Sequence, residues 1–189
     1  MEIYIYDTLP GGAGFAKRVG EIGLPIFEDA LKLLEACPDN CDRSCYRCLR
    51  SYKNKFEHDL LDRHLGASLL RFVLHDDAPT LSPDRIMSST KLLFEDLDRQ
   101  GIEGLSLERN KKITIPGLGD LVVPILATTF QGTRFAIGLS GPLTPDEPMD
   151  ATLKSAKKYE PSLIVYLEDE LVVRLNLPFA TEKLIGKLC

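Results

Sequence analysis

No uninterrupted apolar stretch in this chain approaches the roughly 20 residues that a membrane span requires, and no hydrophobic leader opens it. These absences argue against a transmembrane helix and a secretory signal and predict a soluble, cytoplasmic protein. Internal repeats and low-complexity tracts are also missing, so neither a solenoid nor a disordered tail fits. Catalytic machinery is equally scarce. The three histidines, His58, His64 and His75, sit on or beside one expected helix with no serine or cysteine nucleophile motif nearby. They read as surface or capping residues. The run Asp7-Thr8-Leu9-Pro10-Gly11-Gly12-Ala13-Gly14 lacks the Lys-Ser/Thr pair of a P-loop and the dinucleotide fingerprint. Its glycines are expected to permit a tight turn, the alternative being backbone amides offered to a phosphate. No catalytic residue is assigned, and the chain is not expected to be an enzyme.

What is present is concentrated in one segment. The chain has 189 residues, 44% of them hydrophobic, enough for one large or two small cores. Four of its five cysteines, Cys37, Cys41, Cys45 and Cys48, form a C-x3-C-x3-C-x2-C run. Thiolates repel one another, so such crowding makes sense when a divalent cation neutralises them or disulfides remove their charge. Structural Zn2+ is favoured over disulfides and over free or redox thiols, because the remaining residues can build apolar cores that need no staples. Four thiolates close the metal's shell, so the expected site organises the fold and performs no chemistry. Cys189 lies far outside the spacing and reads as a free thiol.

Charge follows the cysteines. The chain carries a net charge of −5, yet between Cys41 and Lys55 five basic residues, Arg43, Arg47, Arg50, Lys53 and Lys55, face the single acid Asp42. Any polyanion would therefore be received here. Tyr46 and Tyr52 lie among the cations, and a rigid loop presenting cations beside rings suits single-stranded nucleic acid. The competing reading is a solvated charged face.

The pattern along the chain predicts an α/β (α+β) protein in two parts. Residues 1–78 form a small α-helical zinc module with an N-terminal strand at Ile3 to Tyr6. One helix with Pro25 near its start presents Phe27, Ala30, Leu31 and Leu34 and ends at Cys37 and Pro38. A second, started by Asp59 and Asp62, presents Leu61, Leu65, Leu69 and Phe72. The stretch from His75 to Pro83 reads as a linker. Residues 84–189 form the other part, with an α-β-β-β-α-β order. A helix presents Ile86, Thr90, Leu93 and Leu97 and stops at Gly101. Strands follow at Leu105 to Arg109 with Lys112 to Ile115, at Leu121 to Phe130 and at Arg134 to Leu139, with a hairpin turn at Gln131 to Thr133. A helix from Pro148 to Tyr159, a strand from Leu163 to Leu167 and an extended run from Leu171 to Leu175 complete it. The acids Glu168, Asp169 and Glu170 are expected to make a polar turn between those last two runs.

The motifs Tyr6-Asp7-x-x-Pro10-Gly11-Gly12-Ala13-Gly14, the four cysteines with Cys45-Tyr46-Arg47-Cys48-Leu49, then Asn54 and Leu61-Asp62-Arg63, resemble the zinc-binding C-terminal domain of MrfA-like DEAD/DEAH-box helicases. The resemblance covers about residues 1–75. It implies that Cys37, Cys41, Cys45 and Cys48 ligate zinc, that the domain works with a helicase motor, and that the setting is DNA repair or antiphage defence. Walker-type and Asp-Glu-x-His/Asp motifs are absent, so the expectation is a C-terminal piece of a helicase or a free-standing partner of one. The motor would then act in cis or in trans. By its element order, the segment of about residues 84–178 resembles a restriction-endonuclease-like fold. Such nucleases need an Asp on one strand and Glu-x-Lys on the next; here Pro124 and Gly138-Leu139-Ser140 stand in those places, which implies an inactive copy.

The sequence therefore predicts a non-catalytic zinc-binding module of a helicase system that contacts nucleic acid, DNA in particular, through Arg43, Tyr46, Arg47, Arg50, Lys53 and Lys55. Its rivals are a metal-dependent nuclease using Asp120 or Glu108, and a pure protein-interaction domain.

Overall fold

The computed structural model describes residues 4–115, 117, 119–160 and 162–188. The chain is α+β and divides into two compact units, Met1–Ala78 and Pro79–Cys189. No helix among the described residues is long and apolar enough to cross a membrane.

The first unit is helical, with α1 Phe15–Ile22, α2 Leu24–Glu35, a 3-10 turn Tyr52–Glu57 and α3 Arg63–His75. The expected N-terminal strand is absent: Ile3 lies outside the described residues, and residues 4–6 form no ladder. A strand needs a neighbour for its amides and carbonyls, and the described residues of this unit provide none. The glycine run closes on Asp7, whose carboxylate accepts from the backbone N–H groups of Gly14 and Ala16 at 3.0 and 3.3 Å. The helix end that a phosphate would need is thus already filled by an internal anion.

Pro25 sits in the first turn of α2, where its missing N–H costs nothing. Asp62 caps α3, accepting from the N–H groups of His64 and Leu65 at 3.0 Å each. The two helices meet through Leu31, Leu34 and Ala67, joined by Leu49, Leu70 and Leu74. The buried residues of α3 are Arg63, Ala67 and Ser68, with half-buried Leu70 and Leu74 packed on the cluster; of the face the sequence pattern predicts, Leu61, Leu65 and Leu69 are half-buried outside it and Phe72 is exposed. The reason is close approach at Gly66, where a Cβ would stand 3.2 Å from Leu34 Cδ1. Contact at a glycine rotates the flanking leucines off the contact line.

The second unit has α4 Pro83–Arg99, β1 Leu105–Ile115, β2 Gly119–Thr129, β3 Arg134–Gly141, β4 Thr144–Pro148, α5 Ala151–Tyr159, β5 Ile164–Asp169, α6 Glu170–Leu175 and α7 Leu177–Leu188. Ser82 caps α4 through the N–H of Arg85, and Gly101 follows the helix in the left-handed region at φ 57°. The strands form one sheet in the order β1-β2-β3-β4, antiparallel throughout, with β5 joining β3 in parallel.

Leu93 and Leu97 of α4 pack with Ile125, Ala127, Ile137 and Leu139 on one face, closed by Val173 of α6 and Leu184 of α7. On the other face Leu126 and Ala136 meet Leu153 and Ala156 of α5. Ile113, Ile115 and Val123 also lie on that second face, although they share the odd numbering of Leu105, Leu107, Ile125 and Ala127 on the first. The pleat of the β1–β2 pair therefore changes face partway along. It does so at Asn110, left-handed at φ 51° between the pairs Arg109–Ile125 and Lys111–Val123, beside Pro124, which has no N–H for the ladder.

Two expectations at the C-terminal end are corrected. The run Leu171 to Leu175 is helical, within α6, because a short apolar run does not by itself distinguish strand from buried helix. The acids before it make no polar turn. Glu168 and Glu170 are buried, and Asp169 caps α6 through the N–H of Leu171 at 2.8 Å. Glu170 accepts from Arg85 Nε and Nη2 at 2.9 Å each, Ser89 Oγ at 2.7 Å and Arg174 Nε at 2.8 Å. Glu168 accepts from Lys183 Nζ at 2.7 Å. Cations from α4, α6 and α7 turn what looks like a solvated acidic patch into buried ion pairs.

Candidate metal centre and its cationic surface

Cys37 follows the end of α2, and the N–H of Asn40 bonds the Cys37 carbonyl at 3.0 Å, with Asn40 itself left-handed at φ 41°. A second tight turn starts at Cys45, whose carbonyl accepts from the N–H groups of Cys48, Leu49 and Arg50 at 3.1, 3.1 and 2.9 Å. These two turns aim all four sulfurs at one point. Their separations are 3.7 Å for Cys37–Cys41, 3.6 Å for Cys37–Cys45, 3.7 Å for Cys41–Cys48 and 3.8 Å for Cys45–Cys48, and all four lie within 4.8 Å of one another.

Disulfide bonding requires a sulfur–sulfur length of about 2.0 Å, so none is formed. A tetrahedron of sulfurs each about 2.3 Å from a zinc ion has edges of about 3.8 Å, which these separations match. The residues therefore fit a structural zinc ion, with Cys37, Cys41, Cys45 and Cys48 as the donor set and no position left for water.

The thiols differ in acidity without the cation. The backbone N–H of Cys41, reinforced by that of Asp39, lowers Cys37 to about 6, whereas burial pushes Cys41 up to about 12 and also raises Cys45. A divalent cation favours the thiolate at every donor and outweighs such differences.

Arg63 holds this loop in place. It is 4% exposed, and it donates from Nε to the Cys41 carbonyl at 2.8 Å, from Nη1 to the Leu34 carbonyl at 3.1 Å and from Nη2 to Asn40 Oδ1 at 2.9 Å. One guanidinium thus ties α3 to the end of α2 and to the loop between the first two cysteines. Its positive charge also offsets the excess negative charge of four thiolates around a dication. Sequence reasoning singled out the cations between Cys41 and Lys55 and missed this buried one; its place next to the Asp62 cap was the available signal.

The six residues expected to meet nucleic acid separate into two groups. Arg43 is turned inward, donating to the Asp59 carbonyl and lying 3.9 Å from Asp62, and Arg50 donates to Ser44 Oγ at 2.9 Å. Both brace the loop. Tyr46, Arg47, Lys53 and Lys55 face solvent, as does Phe56. Arg47 pairs with exposed Asp39 at 3.2 Å, and Lys55 lies over the Tyr52 and Phe56 rings. His58 bonds the Ser51 carbonyl and Asn54 Oδ1 through Nε2 at 3.0 and 3.1 Å, and His64 Nε2 lies 3.3 Å from the Cys41 carbonyl.

In the second unit, the acids weighed for a nuclease are dispersed. Asp120 is bound to Lys112 and Thr114 at 2.6 Å each, and Lys112 is the first cause of its lowered pKa; Glu108 pairs with Lys111. Among the described residues the four cysteines are the one group of three or more side chains placed to share a metal. At Gly138 a Cβ would stand 2.0 Å from Leu153 Cδ1, so a side chain here would require the buried Leu153 to move.

A closed four-thiolate centre between two helices defines a structural zinc module. Residues 1–49, which include all four cysteines, match the family described as MrfA Zn-binding domain, so the first unit carries a zinc-binding domain of that kind. Among curated proteins, the Druantia protein DruE of Escherichia coli (strain UMEA 4076-1) is 36% identical over 126 residues, 66% of this chain. That stretch exceeds the first unit in length, so the likeness runs into the second. This chain spans 7% of the length of that relative. No solved structure matches the chain.

Proposed function

We propose that this chain is a non-catalytic accessory module of a DEAD/DEAH-box helicase system, in which zinc holds a nucleic-acid-facing loop in shape. The observation that carries the reading is the position of Arg47, Lys53 and Lys55, exposed on the loop and 3-10 turn that the four cysteines and Arg63 immobilise. Cations carried on a fixed backbone leave only side-chain freedom to lose on meeting phosphates, which favours binding over a merely solvated face. The nucleic acid is DNA, and the motor acts on it in cis or in trans. Of the two settings the resemblance implies, the likeness to a Druantia protein supports antiphage defence over repair. Motor contact has its own support in α1, which buries none of its residues and leaves Phe15 and Ile22 exposed.

In the second unit the dispersed acids, and a buried leucine packed over Gly138 where a nuclease would carry an acid, support a scaffold or docking role over a metal-dependent nuclease. The test is direct. Zinc-loaded protein titrated into labelled DNA should bind with an affinity that falls steeply with salt, and Arg47→Glu with Lys53→Glu should abolish it. Salt-independent binding, or binding indifferent to these reversals, would sink the cationic interface. Magnesium- or manganese-dependent cleavage abolished by Asp120→Ala would replace the reading with a nuclease.

A further inference from the structure

The 3-10 turn Tyr52–Glu57 places aromatic rings where a folded protein has reason to avoid them. Phe56 is 85% exposed, Tyr52 79% and Tyr46 69%. Exposed rings on a mobile loop carry little meaning, but the turn that carries these is held. The side chain of Asn54 accepts from the Ser51 N–H at 2.7 Å and donates to the Leu49 carbonyl at 2.9 Å, one residue after Cys48. His58 bonds the same Asn54 and the Ser51 carbonyl, and the Tyr46 ring meets the His58 ring edge-on, centroids 5.4 Å apart and planes at 88°. The Tyr46 ring, and the backbone turn that carries Tyr52 and Phe56, are therefore braced onto the metal loop itself. Between Tyr52 and Phe56 sits the Lys55 ammonium, 4.9 and 4.8 Å from their centroids, and neither Lys53 nor Lys55 pairs with an acid among the described residues.

Resting on the nucleic-acid reading above, we propose that this surface is a stacking platform for unpaired bases, with Phe56 and Tyr52 as its principal rings and Tyr46 as a third. Aromatic rings beside cations bind single strands because every base has a face to stack, while the cations track the phosphates. Base pairs in a duplex have those faces covered by their neighbours, so a duplex reaches only the cations. The platform thus selects single-stranded over double-stranded nucleic acid and tolerates any sequence. Phe56 lies outside the residues that charge alone identifies, and it determines this preference. Because Asn54 ties the turn to Leu49, loss of zinc disorders the rings along with the cysteine loop.

The experiment uses the zinc-loaded full chain, a labelled oligothymidine and a duplex of the same length, at two salt concentrations. The wild type is expected to bind oligothymidine more tightly than the duplex. Phe56→Ala should weaken oligothymidine binding by about fivefold or more, with its salt dependence and its duplex affinity unchanged. The chain contains no tryptophan, so Phe56→Trp supplies a single indole whose emission should be quenched as oligothymidine saturates the protein. Equal affinities of wild type and Phe56→Ala, or an indole whose emission stays constant at saturation, would overturn stacking while leaving salt-dependent binding intact. Absence of any nucleic-acid binding by the wild type would overturn both readings together. Self-association in sedimentation that Phe56→Ala abolishes, with oligothymidine binding unchanged, would reassign the rings to a protein contact.

Discussion

Arg63 does for the metal loop what no cysteine does, binding it to both flanking helices through three directed hydrogen bonds. Arg63→Ala leaves the Leu34 carbonyl and the Asn40 amide oxygen without this donor and the Cys41 carbonyl with only the longer His64 contact. Each lost partner costs about 1–3 kcal/mol, so a loss of several kcal/mol in urea unfolding of the first unit is expected, with lowered zinc retention. Arg63→Lys keeps the charge but not the planar fork and should recover only part of it; full recovery would show that charge alone matters. Glu170 is the counterpart in the second unit. Glu170→Gln leaves Arg85 and Arg174 buried against a neutral amide, and breaking such a pair costs about 3–5 kcal/mol. An unchanged urea midpoint would refute that network's role.

Where elements meet, two backbone positions carry the packing. The strand β3 approaches α5 at Gly138, directly beneath Leu153. Overpacking of this kind costs about 1–3 kcal/mol, so Gly138→Ala should lower the melting temperature of the second unit without changing zinc content; a neutral result would mean that Leu153 repacks freely. Asn110 is where the β1–β2 pair exchanges one core for the other, in a backbone region costing L-residues about 1–2 kcal/mol. Asn110→Gly should therefore stay close to wild type in stability, while Asn110→Val should fall by about that amount. Comparable losses in both would mean that the Asn110 side chain, and not its backbone conformation, is what the strand needs.

In the whole molecule, stability has two sources. The first unit buries few apolar side chains around Leu31, Leu34 and Ala67, and the second has two larger clusters on either side of a sheet. Zinc-finger peptides gain about 10–16 kcal/mol from their metal at neutral pH, comparable to the stability of an ordinary domain. Chelation is expected to abolish amide protection across α2, the cysteine loop and α3, and to leave it intact in β2, β3 and α4. Hydrogen exchange read by mass spectrometry checks this, and a first unit that stays protected without metal would show that its helices hold by packing alone.

The metal centre was legible in the chain because its chemistry is local: four cysteines at short spacing need only two tight turns to converge. Helix starts at Pro25 and Ser82 were readable for the same reason, since a cap or a first-turn proline acts within one turn of helix; α3 starts one turn later than the expected Asp59, because Asp62 is the residue that caps it. The buried stripe of α3, the inward turn of Arg43 and the pairing of Glu170 with Arg85 were not. Each depends on a partner distant along the chain, and a charged side chain reads as solvated until the fold brings its counterion to it. The change of face at Asn110 and the helical state of Leu171 to Leu175 were hidden likewise, because apolar periodicity records that residues are buried and leaves open which core receives them. Short-range covalent geometry and capping are written in neighbouring residues; burial is a property of what folds against them.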